Sequence, residues 1–312
     1  MKTPIAFLIF NRPQNTQIVF NAIRQVKPSQ LLVVADGSRA ERLLEAERCQ
    51  VARSVIEQVD WPCEVLTNYS DVNLGCKKRI SSGLDWVFSK VEEAIILEDD
   101  CLPHPSFFLY CEALLERYRN DARIVSIGGQ NVQFNNSRTS YSYYYSRYFH
   151  CWGWASWRRA WKHYDINMRL WPEVRDTGLL CLIYEHPRDV AYWSRIFQET
   201  YDGLVDTWDY QAAFAFLIQS GLSVIPKHNL VSNIGFDASS STNTQTDAVN
   251  SPYANMPTAE LPLPLQHPPY VLRHIEADLF TQRTLFNPTF QMRATAKARR
   301  MLKLPAHSEL NK

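Results

Sequence analysis

The segment Ala94-Ile95-Ile96-Leu97-Glu98-Asp99-Asp100 joins a short apolar run to three consecutive carboxylates. Such a run reads as a buried strand of a parallel sheet. Like charges at its carboxyl end repel, and burying them without partners is costly. A divalent cation removes that difficulty, because Mg²⁺ and Mn²⁺ take carboxylate and phosphate oxygens together. Ligands of open α/β sheets lie beyond the carboxyl ends of the strands. The segment therefore points to a metal-held phosphate ligand. A strand running into a solvated acidic turn is the plain alternative. Glu98 points to the opposite side from Asp99 if the strand persists through both.

Other residues gather at the same kind of position. Asn11 and Arg12 end an apolar run, Ile5 to Phe10, and Arg12 has the charge to approach a diphosphate. Asp36-Gly37 ends the run Leu31 to Ala35, although Asp-Gly is also an ordinary turn. Asn73 and Gly75 lie in a turn before a helix beginning near Lys77, and such a turn can offer backbone N–H groups to a ligand. Lys77, Lys78 and Arg79 are disfavoured at the positive end of a helix dipole, which an anionic ligand would relieve and solvent exposure would also explain. No GxGxxG or Walker loop occurs, which argues against a dinucleotide or P-loop enzyme.

The elements that must hold these groups follow from hydrophobic spacing. Strands are expected at Ile5–Phe10, Leu31–Ala35, Cys63–Thr67, Ala94–Leu97 and Ile124–Ile127. Helices alternate with them, with stripes such as Ile18, Val19, Ala22, Ile23, Val26 and Ile80, Leu84, Val87, Phe88, Val91. That order predicts an α/β fold with a mostly parallel, Rossmann-like sheet flanked by helices. Trp154, Trp157, Arg158 and Trp161 fall on one face if the segment is helical, as a sugar-stacking wall or as core. Residues 176–219 read mostly helical, and 237–269 read as a long loop able to close over a ligand. One domain over 1–286 is expected, with a ligand-binding part at 1–130 and an acceptor-side part at 131–286. A basic tail occupies 287–312.

Composition bounds the partners. The 312 residues are 46% hydrophobic with a net charge of +1, so no broad electrostatic case exists for nucleic acid. Seven scattered cysteines without a CxxC pair argue against zinc and fit free thiols in a reducing cytoplasm. No apolar run is long enough to span a membrane. Phe290 to Leu304 carries Arg293, Lys297, Arg299, Arg300 and Lys303 with no acid. That tail suits peripheral contact with an anionic membrane surface, or simple solvation.

Taken in order, Ile5–Pro13, Val33–Arg39, Tyr69–Gly83, Ile95–Asp100 and Trp152–Trp161 resemble GT-A-fold glycosyltransferases. The inverting N-acetylglucosaminyltransferase I family and its bacterial relatives are the group that the chain resembles, over roughly residues 4 to 237. The resemblance implies inverting transfer of a hexosyl or N-acetylhexosaminyl group from a nucleotide diphosphate sugar, a UDP-sugar first among them. The acceptor would be a hydroxyl of a glycan or lipid-linked saccharide, and the cofactor Mn²⁺ or Mg²⁺. It implies that Asp100 holds the metal and that Asp99 reaches the ribose or the metal-bound waters. Glu98 would face the donor sugar and Asp36 the nucleobase or ribose. Thr207-Trp208-Asp209-Tyr210 resembles the segment carrying the catalytic carboxylate, which makes Asp209 the candidate base and Asp206 its substitute. Asp209 as an N-cap of the next helix is the alternative.

One departure matters. Some relatives place a metal-binding histidine near the position of Gly235-Phe236, where this chain reads Asp237-Ala238-Ser239. The implied site rests on one protein carboxylate and the diphosphate, which predicts weak metal binding without nucleotide. Two other classes compete with this reading. One is a nucleotidyltransferase, which usually needs a Gly-rich basic loop that Phe10 to Thr16 does not supply. The other is a non-catalytic binder of glycans or nucleotide sugars.

Overall fold

The computed structural model describes residues 1–42, 44–134, 136–236 and 252–287. The expected closing loop falls partly, and the basic tail almost wholly, outside the described residues.

The first half alternates as the spacing predicts. Strands β1 (Ile5–Ile9), β2 (Gln30–Ala35), β3 (Glu64–Tyr69) and β4 (Glu93–Glu98) are separated by helices α1 (Pro13–Val26), α2 (Glu45–Ser54) and α3 (Gly75–Lys90). All five residues of β1 are buried, as expected for a strand covered on both faces. Helix α1 starts at Pro13, whose missing N–H is no loss in the first turn, and ends on Lys27 in the left-handed conformation. Its buried stripe is Thr16, Val19, Phe20 and Ile23. Ile18, expected in that stripe, is 44% exposed, because it lies one position off the face that meets the sheet.

After β4, a short strand β5 (Cys101–Pro103) leads into α4 (Pro105–Arg117) and β6 (Ile124–Gly128). Next come β7 (Tyr143–Ser146) and β8 (Trp154–Trp157). Strand β9 (Leu222–Pro226) completes one eight-stranded sheet of order β3-β2-β1-β4-β8-β6-β9-β7. Strands β7 and β8 run against the other six. The sheet is thus mostly parallel, and the stretches 1–130 and 131–286 both contribute strands to it.

The tryptophan-rich segment corrects the sequence reading. Trp154 to Trp157 is a strand, and only Arg158–Trp161 (α5) is helical. Pairing of Ile96 with Trp154 and Ala94 with Ser156 fixes the register. Alternation then sends Trp154 into the core on one face of the sheet and Trp157 into the core on the other. Trp154, Trp157 and Trp161 are all buried, so they form core and not a wall open to a ligand.

A third core lies among α6 (Trp171–Asp176), a 3₁₀ turn at Leu179–Leu182, α7 (Pro187–Tyr201) and α8 (Asp209–Ile218). Strand β10 (Val231–Asn233) pairs antiparallel with β5 and carries the chain back over the end of β4. Residues 252–269 are irregular yet packed, burying Met256, Leu261 and Leu265. Helix α9 (Ile275–Thr281) and a π turn (Gln282–Phe286) follow. Among the described residues no helix is long and apolar enough to cross a membrane.

Helix α3 lies close on β2 because Gly83 presents no side chain there. A Cβ at Gly83 would stand 2.5 Å from Val34 Cγ1 and 3.2 Å from Cγ2. Gly83→Ala is expected to lower stability by about 1–3 kcal/mol through overpacking, measured by chemical denaturation. An unchanged denaturation midpoint would contradict this close contact.

Candidate functional site

The carboxyl ends of β1, β2 and β4 share one edge of the sheet, since the three are parallel neighbours. Glu98 is the last residue of β4, and Asp99 and Asp100 turn the chain towards β5. Asp99 points inward. It is 6% exposed, accepts the Phe10 N–H at 3.0 Å and stands 3.6 Å from Arg12 Nη1. Asp100 Oδ2 accepts from the same Nη1 at 2.6 Å. Arg12 is thus a counter-charge for both aspartates. Glu98 also feels the Arg12 charge.

The electrostatics follow from this crowding. Burial pushes Asp99 up to about 7, opposed by Arg12 and reinforced by Asp100. Burial also holds Glu98 well above the ordinary carboxylate range, with Asp100, Asp99 and Asp209 adding repulsion. Burial raises the Cys151 thiol, and Asp209, Glu98 and Asp100 contribute to it. Cys101 feels burial first, then Asp100 and Glu98. The side chains of Glu98, Asp100 and Asp209 therefore act on one small region, although Asp209 is more than a hundred residues away in the chain.

Asp209 is the first residue of α8 and does not cap it, because the cap position belongs to Trp208. Its Oδ1 accepts a hydrogen bond from Thr207 Oγ1 and another from the Tyr210 N–H at 3.0 Å. Cys151 Sγ lies 3.9 Å from Oδ2. Burial raises the Asp209 pKa, and Thr207 and the backbone donors lower it in part. Nothing in the sequence marked Cys151, and Thr207 was visible only as a neighbour of the candidate base. Asp206 stands near the same region, 3.5 Å from the position a Cβ on Gly75 would occupy.

Asp209 also lines a cavity of ≈ 40 Å³. Tyr148, Tyr184, Trp193, Phe197, Tyr210 and Phe286 supply half of its lining residues. Trp152, half-buried and 5.5 Å from Phe236 between ring centroids, is the tryptophan of the 152–161 stretch that keeps partial access to solvent.

Several predicted ligand contacts are engaged within the protein. Asp36 is buried and accepts from the N–H groups of Gly37 (2.9 Å), Leu74 (2.9 Å) and Gly75 (3.1 Å). Asn73 Nδ2 donates to the same carboxylate at 3.1 Å and to Gly37 O at 2.8 Å. The turn before α3 thus offers the N–H groups of Leu74 and Gly75 to Asp36 and not to an external ligand, because a buried carboxylate needs donors. Asn11 Nδ2 donates to Glu45 at 2.8 Å, which turns it towards α2. Arg79 is buried and donates to Asn68, whereas Lys78 is exposed. The basic start of α3 is therefore not a uniform cluster.

Gly235 closes the edge from above. The Ile234 N–H donates to Asp100 O at 2.8 Å, and a Cβ on Gly235 would collide with Asp100 Oδ2 and stand 2.9 Å from Arg12 Nη1. Among the described residues no three His, Cys, Asp or Glu side chains converge as a ready-made metal cage. The residues instead fit a cation held by one carboxylate with the remaining oxygens supplied by a phosphate ligand, as magnesium sites commonly are. The burial and mutual repulsion of these acids, which Arg12 offsets only in part, are the features that favour positive charge there.

Sheet and edge define a Rossmann-like α/β protein whose acidic groups gather where such sheets bind ligands. No protein-family model matches the chain, and no curated protein matches it. Solved structures are similar to it at low identity. UDP-glucose pyrophosphorylase complexed with UDP-glucose aligns over 72% of this chain and 90% of its own, at 10% identity and a TM-score of 0.35. The 4-diphosphocytidyl-2C-methyl-D-erythritol synthase of Anaerococcus prevotii DSM 20548 aligns over 51% and 72%, at 9% identity and a TM-score of 0.31. HddC from Yersinia pseudotuberculosis aligns over 50% and 77%, at 8% identity and a TM-score of 0.30. The choice of reaction rests on the side chains and not on these alignments.

Thr207 favours the ionised form of Asp209 by donating to it. Thr207→Val removes that donor, so the Asp209 pKa should rise further, and Thr207→Ser should restore it. The carboxyl ¹³C shift of Asp209 followed against pH reads this directly. An unmoved titration in Thr207→Val would show that the hydrogen bond carries no weight.

Proposed function

We propose that this chain is an enzyme of nucleotide sugars, and more narrowly a metal-dependent, inverting glycosyltransferase. It would move a hexosyl or N-acetylhexosaminyl group from a UDP-sugar to a hydroxyl of a glycan or lipid-linked saccharide. One arrangement supports the reading: Asp209, a carboxylate of raised pKa, lines the aromatic cavity and adds repulsion at Glu98. A base must touch the acceptor hydroxyl while that hydroxyl faces the donor carbon, and a carboxylate shared between two such regions suits that task.

Each group then has a task. Asp209 takes the proton of the acceptor hydroxyl as that oxygen attacks the anomeric carbon and the bond to the diphosphate breaks. Its raised pKa makes it a better base than a solvated aspartate. Mn²⁺ or Mg²⁺, held by Asp100 and the diphosphate, would supply positive charge to the leaving group. Arg12, already beside Asp100, places a second positive charge near that diphosphate. Asp99 fixes the end of β1 through the Phe10 N–H, and Asp36 with Asn73 holds the neighbouring turn in place.

Nucleotidyl transfer is the second reading. The structures similar to this one include a UDP-glucose pyrophosphorylase, and that reaction too handles a nucleotide sugar. Against it stands the passage from β1 into α1, which runs directly through Asn11-Arg12-Pro13 without a Gly-rich loop.

Products separate the readings. With UDP-glucose or UDP-N-acetylglucosamine, Mn²⁺ and a saccharide acceptor, acceptor-dependent release of UDP is expected. Asp209→Asn should lower that rate by about 10²–10⁴-fold while donor binding persists. Formation of UTP from UDP-sugar and pyrophosphate, without UDP release, would replace glycosyl transfer by nucleotidyl transfer. Binding with neither product would identify a non-catalytic binder.

A further inference from the structure

The cavity beside Asp209 is too small for a sugar ring and poorly suited to water. A single buried water needs about 10–15 Å³ by this kind of measure, so ≈ 40 Å³ holds about three water-sized groups. Water is retained where polar partners surround it, whereas this wall is mainly aromatic. Several of its polar groups are engaged, although Arg147 Nε makes no hydrogen bond and stands 3.5 Å from Asp278. Tyr148 Oη and Trp193 Nε1 both donate to Gln282 Oε1, at 2.7 and 3.0 Å. Arg147, another wall residue, donates to Ile183 O and to both oxygens of Glu185. Gln282, 1% exposed and held by these donors, keeps the rings of Tyr148 and Trp193 in place. Asp209 contributes a carboxylate at the edge of this otherwise apolar space.

An apolar space of two or three heavy atoms, with its rings fixed from behind and a base at its edge, matches a methyl-terminated substituent on a sugar. We propose that this cavity is an acceptor subsite that seats a methyl-terminated group, an N-acetyl or a 6-deoxy methyl, carried by the acceptor sugar near its attacking hydroxyl. The inference rests on the glycosyltransferase reading and adds to it the class of acceptor. The buried methyl anchors the sugar on one side of Asp209 and thereby orients its hydroxyl towards the donor side. Ala213, which lines the same cavity, leaves the room the substituent occupies.

The test compares acceptors as matched pairs with the full-length protein, Mn²⁺ and whichever of UDP-glucose or UDP-N-acetylglucosamine releases UDP. N-acetylglucosamine is paired with glucose, and D-fucose (6-deoxy-D-galactose) with D-galactose, each as the same aryl glycoside. The methyl-bearing member of one pair is expected to show a kcat/KM about 10–200-fold higher, the range for a small group in a hydrophobic pocket. The pair that responds names the substituent. Ala213→Leu fills the space and should bring that ratio close to one; Ala213→Val is the milder substitute should the leucine variant fail to fold. Equal kcat/KM within both pairs, or a ratio that survives a folded Ala213→Leu, overturns the subsite while leaving the transferase reading standing. Absence of UDP release with every acceptor removes the transferase reading and the subsite with it.

Discussion

Everything at the candidate site depends on negative charge gathered where it repels itself. Glu98, Asp99 and Asp100 follow one another at the end of a strand whose preceding residues are fully buried, and Asp209 joins them from another helix. The raised pKa values of Glu98 and Asp99 are consequences of that placement, since burial and like charge both penalise the ionised form, and burial alone raises that of Asp209. Arg12 offsets part of the repulsion but is a single charge shared between two aspartates. A fold that keeps such a group of acids loses stability by it, and ligand-binding sites are where this kind of cost is commonly retained.

The rest of the molecule holds that edge rigid. Parallel pairing of β1 with β2 and β4 brings Arg12, Asp36 and the three acids to one side of the sheet. Asp36 collects four donors from Gly37, Asn73, Leu74 and Gly75, so the turn ahead of α3 is bound to the end of β2. Pairing of β10 with β5 lays Ile234 and Gly235 against Asp100, where only a glycine fits. On the other side, Thr207 and the Tyr210 N–H orient Asp209 at the start of α8, and the third core supplies the cavity it borders.

Much of this architecture is legible in local patterns. β1, β2 and β4 are continuous apolar runs, and the stripe of α3 from Ile80 to Phe88 is buried as its spacing requires. The stretch from Trp152 to Trp161 is different. Tryptophans three and four apart fit a helix face, yet Trp154 to Trp157 is drawn into the sheet between β4 and β6, a non-local pairing that local spacing does not encode. Asp36 shows the same limit from another direction. Asp-Gly at a strand end reads as a turn or a ligand contact, while three of the four donors it accepts from lie nearly forty residues later. The repulsion of Glu98 by Asp209, and the position of Cys151 beside Asp209 in the cavity wall, are likewise products of the tertiary fold. Motif resemblance singled out Asp209, but spacing alone could not bring it there.

The most direct test of the account is thermal stability against nucleotide and metal together. UDP, GDP, CDP and dTDP are added singly to the protein, with Mn²⁺ or with a chelator, and to Asp100→Ala in parallel. The account predicts that one nucleotide raises Tm only when Mn²⁺ is present, and that a folded Asp100→Ala protein loses the effect. A nucleotide shift that is equal in chelator, or one that Asp100→Ala retains, would contradict a metal-bridged site at the end of β4.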